Sequence, residues 1–183
     1  MRSEKMDDET LVQNCISGNG EAQRELFDRF SPLMLGVAMR YIKDKSRAED
    51  VLQDGFIKVF KNIHRFENKG SLEGWIRRII VNTALDQIRK NKKSQNNLQL
   101  DDSNFEIVQK SDAIGKLEAE VLMKIIQQLP DGYRVVFNMF AIEGYSHKEI
   151  AKELKISEST SKSQYSRAKS VLRDTLKKYN IER

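Results

Sequence analysis

The run SHKEIAKELKISESTSKSQYSRAKSVLR, residues 146–173, constrains the fold most, because it specifies two helices and the turn between them. Ser146 and Glu149 are spaced as a capping box: the serine oxygen meets the Glu149 amide and the glutamate reaches back to the serine amide, so a helix starts here. Ile150, Ala151 and Leu154 supply its inner face, Lys155 to Ser157 make the turn, and Ser157 can cap a second helix running towards Lys178. Gly144 suits the end of the preceding helix. On the second helix Tyr165, Ala168, Leu172 and Leu176 share one apolar stripe. The opposite face carries Ser159, Thr160, Ser163, Ser166 and Arg167, with Lys162 on its flank. Short donors and long cations of this kind reach base edges and phosphates when such a helix lies in a major groove. An ordinary solvated face is the plainer alternative.

The charge balance agrees with a polyanionic partner only if the positive charge is local. Formal charge is +5, with acidic residues also abundant. It is local: Arg77, Arg78, Arg89, Lys90, Lys92 and Lys93 form one cluster, and the carboxy-terminal helices carry the other. Cys15 is the single cysteine, so an internal disulfide or a cysteine-rich zinc site is excluded, and a small core residue in a reducing compartment is expected. His64 and His147 lack a ligand cluster and are expected as satisfied surface or groove histidines. No stretch reaches membrane-spanning length, so a cytoplasmic protein without membrane insertion is expected.

Helical periodicity dominates and strand signal is nearly absent, giving an all-α expectation of two small helical domains joined by a flexible linker. The boundaries read as 7–93, a linker at 94–112 and 113–183, because KSQNNLQLDDSN has too few apolar side chains to offset its ordering entropy. In the first block a short helix near Asp8 to Ser17 ends at GNG. A longer pattern follows, in which Pro32 either kinks one helix or follows a Ser31 cap as the first residue of another. Ser46 and Glu49 read as a second capping box, opening a helix with Leu52, Phe56, Val59 and Ile63 inside. On its outer face Asp50, Gln53, Asp54 and Lys61 surround Ile57, which fits either a docking surface for another protein or a solvated face with an incidental isoleucine.

After that helix an aromatic-bearing loop leads into a helix with a basic end. Arg78, Asn82 and Arg89 fall on one stripe, and Phe66 sits in the loop. Aromatic faces accept unstacked bases and cations track phosphates, so single-stranded nucleic acid fits this segment. Trp75 shares a stripe with Leu72, Ile76 and Ile79 and is assigned mainly to the core, with stacking on a base as the lesser alternative. Neither a nucleophile constellation nor a phosphate loop accompanies the carboxylates, so an enzyme is not expected, and no cofactor is implied.

AEDVLQDGFIKVFKNI and RFENKGSLEGWIRRIIVNTALDQIRK resemble region two of bacterial extracytoplasmic-function sigma factors. IIQQLPDGYRVVFNMFAIEGYSHKEIAKELKISESTSKSQYSRAK resembles their region four, in the same order and after a linker. The resemblance implies a protein that binds RNA polymerase core and confers promoter specificity, without enzymatic activity of its own. It implies that Asp50, Gln53, Asp54 and Ile57 dock on the clamp of the beta-prime subunit. Lys58, Asn62, Phe66, Arg78 and Asn82, with Arg89 on the same stripe, would surround a flipped base of the single-stranded minus-ten element, the loop from Glu67 to Ser71 closing over it. His147, Ser159, Thr160, Lys162, Ser163, Ser166 and Arg167 would meet the duplex minus-thirty-five element. An anti-sigma factor is a further partner that the resemblance leaves open. Ser161 and Gln164 depart from the common family pattern, which has a valine and an arginine there. A free-standing helix-turn-helix regulator explains the second block alone, and a nucleic-acid enzyme lacks its reactive groups.

Overall fold

A computed structural model of the chain describes residues 6–95 and 116–178, and in these the fold is all-α, with no strand. Contacts divide the chain into two units, Met1–Leu100 and Asp101–Arg183.

The first unit begins with α1 (Asp8–Ile16), capped by Asp7, whose carboxylate accepts from the Thr10 amide and hydroxyl, both at 2.9 Å. Those bonds favour the ionised form and hold the Asp7 carboxyl below its ordinary range. Gly18, at φ +81, turns the chain left-handed, and Asn19 then accepts from the amides of Glu21 and Ala22 to start α2 (Gly20–Tyr41). This helix runs unbroken through Pro32, so Ser31 opens no new helix. Phe30, Met34 and Val37 are buried on either side of the proline, and packing on both flanks offsets the missing amide bond.

The next helix, α3 (Lys45–Asn62), corrects the expected cap. Asp44, not Ser46, occupies the cap position and accepts from the Arg47 amide at 2.8 Å, while Glu49 pairs with Lys45 at 3.8 Å. A helical turn at Ile63–Arg65 and a loop with left-handed Asn68 and Gly70 lead to α4 (Leu72–Gln95). That helix includes Ser94 and Gln95 from the expected linker; the rest of the linker lies outside the described residues. Gly55 faces Ile80 so closely that a Cβ there would overlap the isoleucine Cδ1, which lets α3 and α4 approach. Leu26, Met34, Phe56, Val59, Ile76 and Ile80 fill the core, each such side chain contributing about 1.5–3 kcal/mol on burial. Cys15 joins them, as expected, and burial pushes its thiol pKa up.

The second unit comprises α5 (Lys116–Gln128), α6 (Asp131–Phe137), a π-helical stretch (Asn138–Ile142), α7 (His147–Leu154) and α8 (Glu158–Lys178). Ile125, Ile126, Leu129, Ala168 and Leu172 form its buried cluster, with Tyr133, Phe137 and Leu176 packed around it. Arg134 is buried where α5 meets α6, donating to the Leu129 carbonyl at 3.1 Å and pairing with Asp131 at 2.9 Å. Desolvation lowers its pKa and Asp131 opposes that shift. The capping box forms as expected, Ser146 and Glu149 bonding reciprocally, and Lys155 at φ 55 makes the tight turn into α8.

Candidate nucleic-acid and docking surfaces

The end of α3 and the first half of α4 enclose an open pocket of about 280 Å³, just under the ~300–1,000 Å³ of small-molecule sites. Lys58, Asn62, Arg65, Trp75, Ile79, Asn82 and Thr83 line it. The helical spacing of Trp75, Ile79, Asn82 and Thr83 puts them on one stripe of α4, and Lys58 and Asn62 are one turn apart on α3.

Three of the sequence-derived residues, Lys58, Asn62 and Asn82, thus converge. Phe66 is not among the residues that line it; its half-buried ring packs on Trp75, tilted 52° at 5.6 Å. Arg78 is exposed on α4, and Arg89 lies further along it, pairing with Asp86 at 2.9 Å; neither lines the pocket. Trp75, assigned mainly to the core, is only half-buried and lines the pocket, a position that suits the lesser, stacking alternative. Arg65, Ile79 and Thr83 are the other lining residues that sequence reasoning missed. The stripe through positions 75, 79, 82 and 83 was the signal that could have found two of these and the tryptophan.

The polar groups are partly committed within the protein. Lys58 Nζ donates to Thr83 Oγ1 at 3.1 Å and pairs with Asp86 at 3.4 Å. Asn62 Nδ2 donates to the Lys58 carbonyl at 2.8 Å, which leaves its Oδ1 as an acceptor. Asn82 is exposed and makes no side-chain hydrogen bond among the described residues, so it can both donate and accept. An aromatic face, amides of fixed and free orientation, and cations at the rim suit a planar, hydrogen-bonding ring on an anionic strand.

The outer face of α3 leaves Asp50, Gln53 and Asp54 exposed beside Ile57, which is 51% exposed. In the second unit, Ser159, Lys162, Ser163, Ser166 and Arg167 are exposed on α8, with Thr160 half-buried. The hydroxyls of Ser159 and Thr160 meet Ser157 Oγ at 2.8 and 2.7 Å, Lys162 pairs with Glu158 at 2.8 Å, and Arg167 reaches the Tyr133 hydroxyl at 3.4 Å. The Lys162 bond holds the Glu158 carboxyl below its ordinary range. Gln164 packs over Gly132, where a Cβ would lie 3.3 Å from the amide.

Residues 26–94 match the family model described as Sigma-70 region 2, and residues 119–172 match Sigma-70, region 4. Region 2 followed by region 4 defines the class, sigma factors of the sigma-70 type. The RNA polymerase sigma-H factor of Pseudomonas aeruginosa is 26% identical over 176 residues, covering 90% of this chain and 91% of that protein. The ECF RNA polymerase sigma factor SigM of Bacillus subtilis is 31% identical over 132 residues, covering 72% of this chain and 80% of that one. The sigma factor RpoE of Bartonella quintana, solved with the anti-sigma factor NepR, shares the fold at TM-score 0.55 and 24% identity, over 84% of this chain and 96% of that one. The chain belongs to the extracytoplasmic-function (ECF) family of RNA polymerase sigma factors.

Proposed function

We propose that the two units divide the work of a sigma factor, the first docking on polymerase core and capturing an unstacked base, the second reading duplex DNA. Family membership makes the chain a sigma factor that directs transcription initiation with RNA polymerase core at promoter DNA, and sets aside the free-standing regulator. In this reading it acts by binding rather than catalysis, in the cytoplasm with the polymerase. Among the described residues no helix is long and apolar enough to cross a membrane.

The observation that carries the proposal is the α3–α4 pocket, lined by Trp75 together with Asn62 and Asn82; the loop from Glu67 to Ser71 would close over the captured base. Extruding a base costs a few kcal/mol, and a stacking surface returns about 1–3 kcal/mol. A protein without a fuel can therefore favour an opened duplex only by holding the opened form. Arg78, exposed on α4 within the span that lines the pocket, and Arg89, further along the helix, would hold the emerging strand. Asp50, Gln53, Asp54 and Ile57 would meet the clamp of the beta-prime subunit, where an exposed isoleucine among carboxylates gains an apolar contact with electrostatic register. The α8 face, with His147, would meet the minus-thirty-five duplex. An anti-sigma factor is a further partner class, supported by the complex in which RpoE was solved.

Run-off transcription with core polymerase on a promoter library tests the function. Promoter-selective transcripts that require this chain are expected; core that initiates identically without it would overturn the proposal.

A further inference from the structure

We propose that Ser161, a buried residue of α8, is a positioning residue that holds the His147 imidazole as an Nε2–H donor towards a phosphate of duplex DNA; this rests on the second unit being the duplex-binding one. Ser161 is 0% exposed on a helix whose other buried positions, Ala168 and Leu172, are apolar. On the same helix, Ser163 and Thr175 fold back onto their own backbone, Ser163 donating to the Thr160 carbonyl and Thr175 to the Val171 carbonyl. Ser161 instead reaches across to α7, where its Oγ meets His147 Nδ1 at 2.9 Å.

That bond selects a tautomer. Among the described residues the Ser161 hydroxyl has no other partner, so its proton is satisfied only when Nδ1 accepts it. A neutral imidazole accepting at Nδ1 carries its own proton on Nε2. The opposite tautomer would spend the Nδ1 proton on the serine oxygen and leave the buried hydroxyl proton without an acceptor.

Aromatic packing fixes the rest of the orientation. Phe140 stacks on the imidazole at 4.2 Å and 12°, and Tyr165 packs at 5.9 Å. Stacking sets the ring plane, and Ser161 sets rotation within it. His147 is the first residue of α7, the opening helix of the helix-turn-helix, which in this motif crosses the DNA backbone. Lys148 beside it is exposed. Of the nearby carboxylates, Glu158 is engaged by Lys162 at 2.8 Å and Glu149 by the Ser146 amide at 2.8 Å. A half-buried, oriented N–H donor next to an exposed cation suits a phosphate oxygen and carries no base information.

The test uses the full-length protein, unmodified and as Ser161→Ala, Ser161→Thr, His147→Ala, Arg167→Ala and the Ser161→Ala/His147→Ala double variant. Nitrogen-15 NMR of the imidazole reads the tautomer, and titration with mixed-sequence duplexes reads binding. The unmodified chain and Ser161→Thr are expected to show the Nε2–H form. Ser161→Ala should raise the Nδ1–H fraction and weaken duplex binding roughly two- to tenfold, equally for unrelated sequences. It should add nothing in the His147→Ala background. A predominantly Nδ1–H ring in the unmodified chain, or a Ser161→Ala loss that persists without His147, would overturn the proposal. If His147→Ala binds duplex normally while Arg167→Ala does not, the imidazole lies off the DNA and the proposal falls, though the reading of the unit stands. If neither variant loses affinity, that reading falls as well.

Discussion

Replacing Trp75 with alanine should damage single-strand capture more than replacing Phe66. Trp75 lines the pocket, whereas Phe66 does not and packs on the indole at 5.6 Å. Stacking is worth about 1–3 kcal/mol per base by alanine substitution, so Trp75→Ala should raise Kd for a minus-ten single strand roughly 5- to 150-fold. Phe66 acts on the base only through the tryptophan, and an aromatic pair contributes about 0.5–1.5 kcal/mol, so Phe66→Ala should cost roughly 2- to 13-fold. The assay is fluorescence anisotropy of a labelled oligonucleotide, with the matching duplex as control and thermal melting to confirm the fold of each variant. Unchanged single-strand binding by Trp75→Ala, or a Phe66→Ala loss larger than the tryptophan's in a folded protein, would refute the assignment of the wall.

Three further outcomes follow from other parts of the molecule. Ile57→Glu, placing a carboxylate in the proposed clamp contact, should impair competition for core polymerase without affecting duplex binding; undiminished competition would leave that face merely solvated. Arg167→Ala should weaken minus-thirty-five duplex binding by about 1–3 kcal/mol if it contacts a base, and Lys162→Ala should cost less because Glu158 already engages that ammonium; equal and sequence-independent losses would reassign Arg167 to phosphate. Gly55→Ala should lower stability by about 1–3 kcal/mol, read from denaturant midpoints, since the added methyl overlaps buried Ile80; an unchanged midpoint would mean that the isoleucine yields freely.

Local chemistry was the most legible part of this chain. The Ser146–Glu149 box, the Ser157 cap and the α8 stripe each depend on groups a few residues apart, and each forms. At α3 the expected Ser46 cap did not form: Asp44 caps the helix, which leaves Glu49 one turn from Lys45 for an ion pair. At Pro32 the pattern permitted one helix or two, and burial on both sides decided for one, a tertiary effect that local preference does not contain. The π-helical stretch at Asn138–Ile142 has no comparable local signature.

The candidate site divides in the same way. Lys58, Asn62 and Asn82 were named beforehand and meet at the pocket, but the cavity itself depends on how closely α3 and α4 approach at Gly55. Periodicity assigns a residue to a face without giving its depth, so Trp75 shared the stripe of Ile76 and yet stands at the pocket edge. Ser161 was visible only as a departure in a familiar pattern; its contact with His147 requires two helices in place.

Intrinsic fluorescence tests the central claim most directly, because Trp75 is the only tryptophan in the chain and stands in the pocket wall. Titration of the full-length protein with a single-stranded minus-ten oligonucleotide should quench or shift Trp75 emission to saturation, while the same sequence as a closed duplex should leave it nearly unchanged. Equal responses to single strand and duplex, or none to either at concentrations where anisotropy shows the strand bound, would contradict capture of an unstacked base at this pocket.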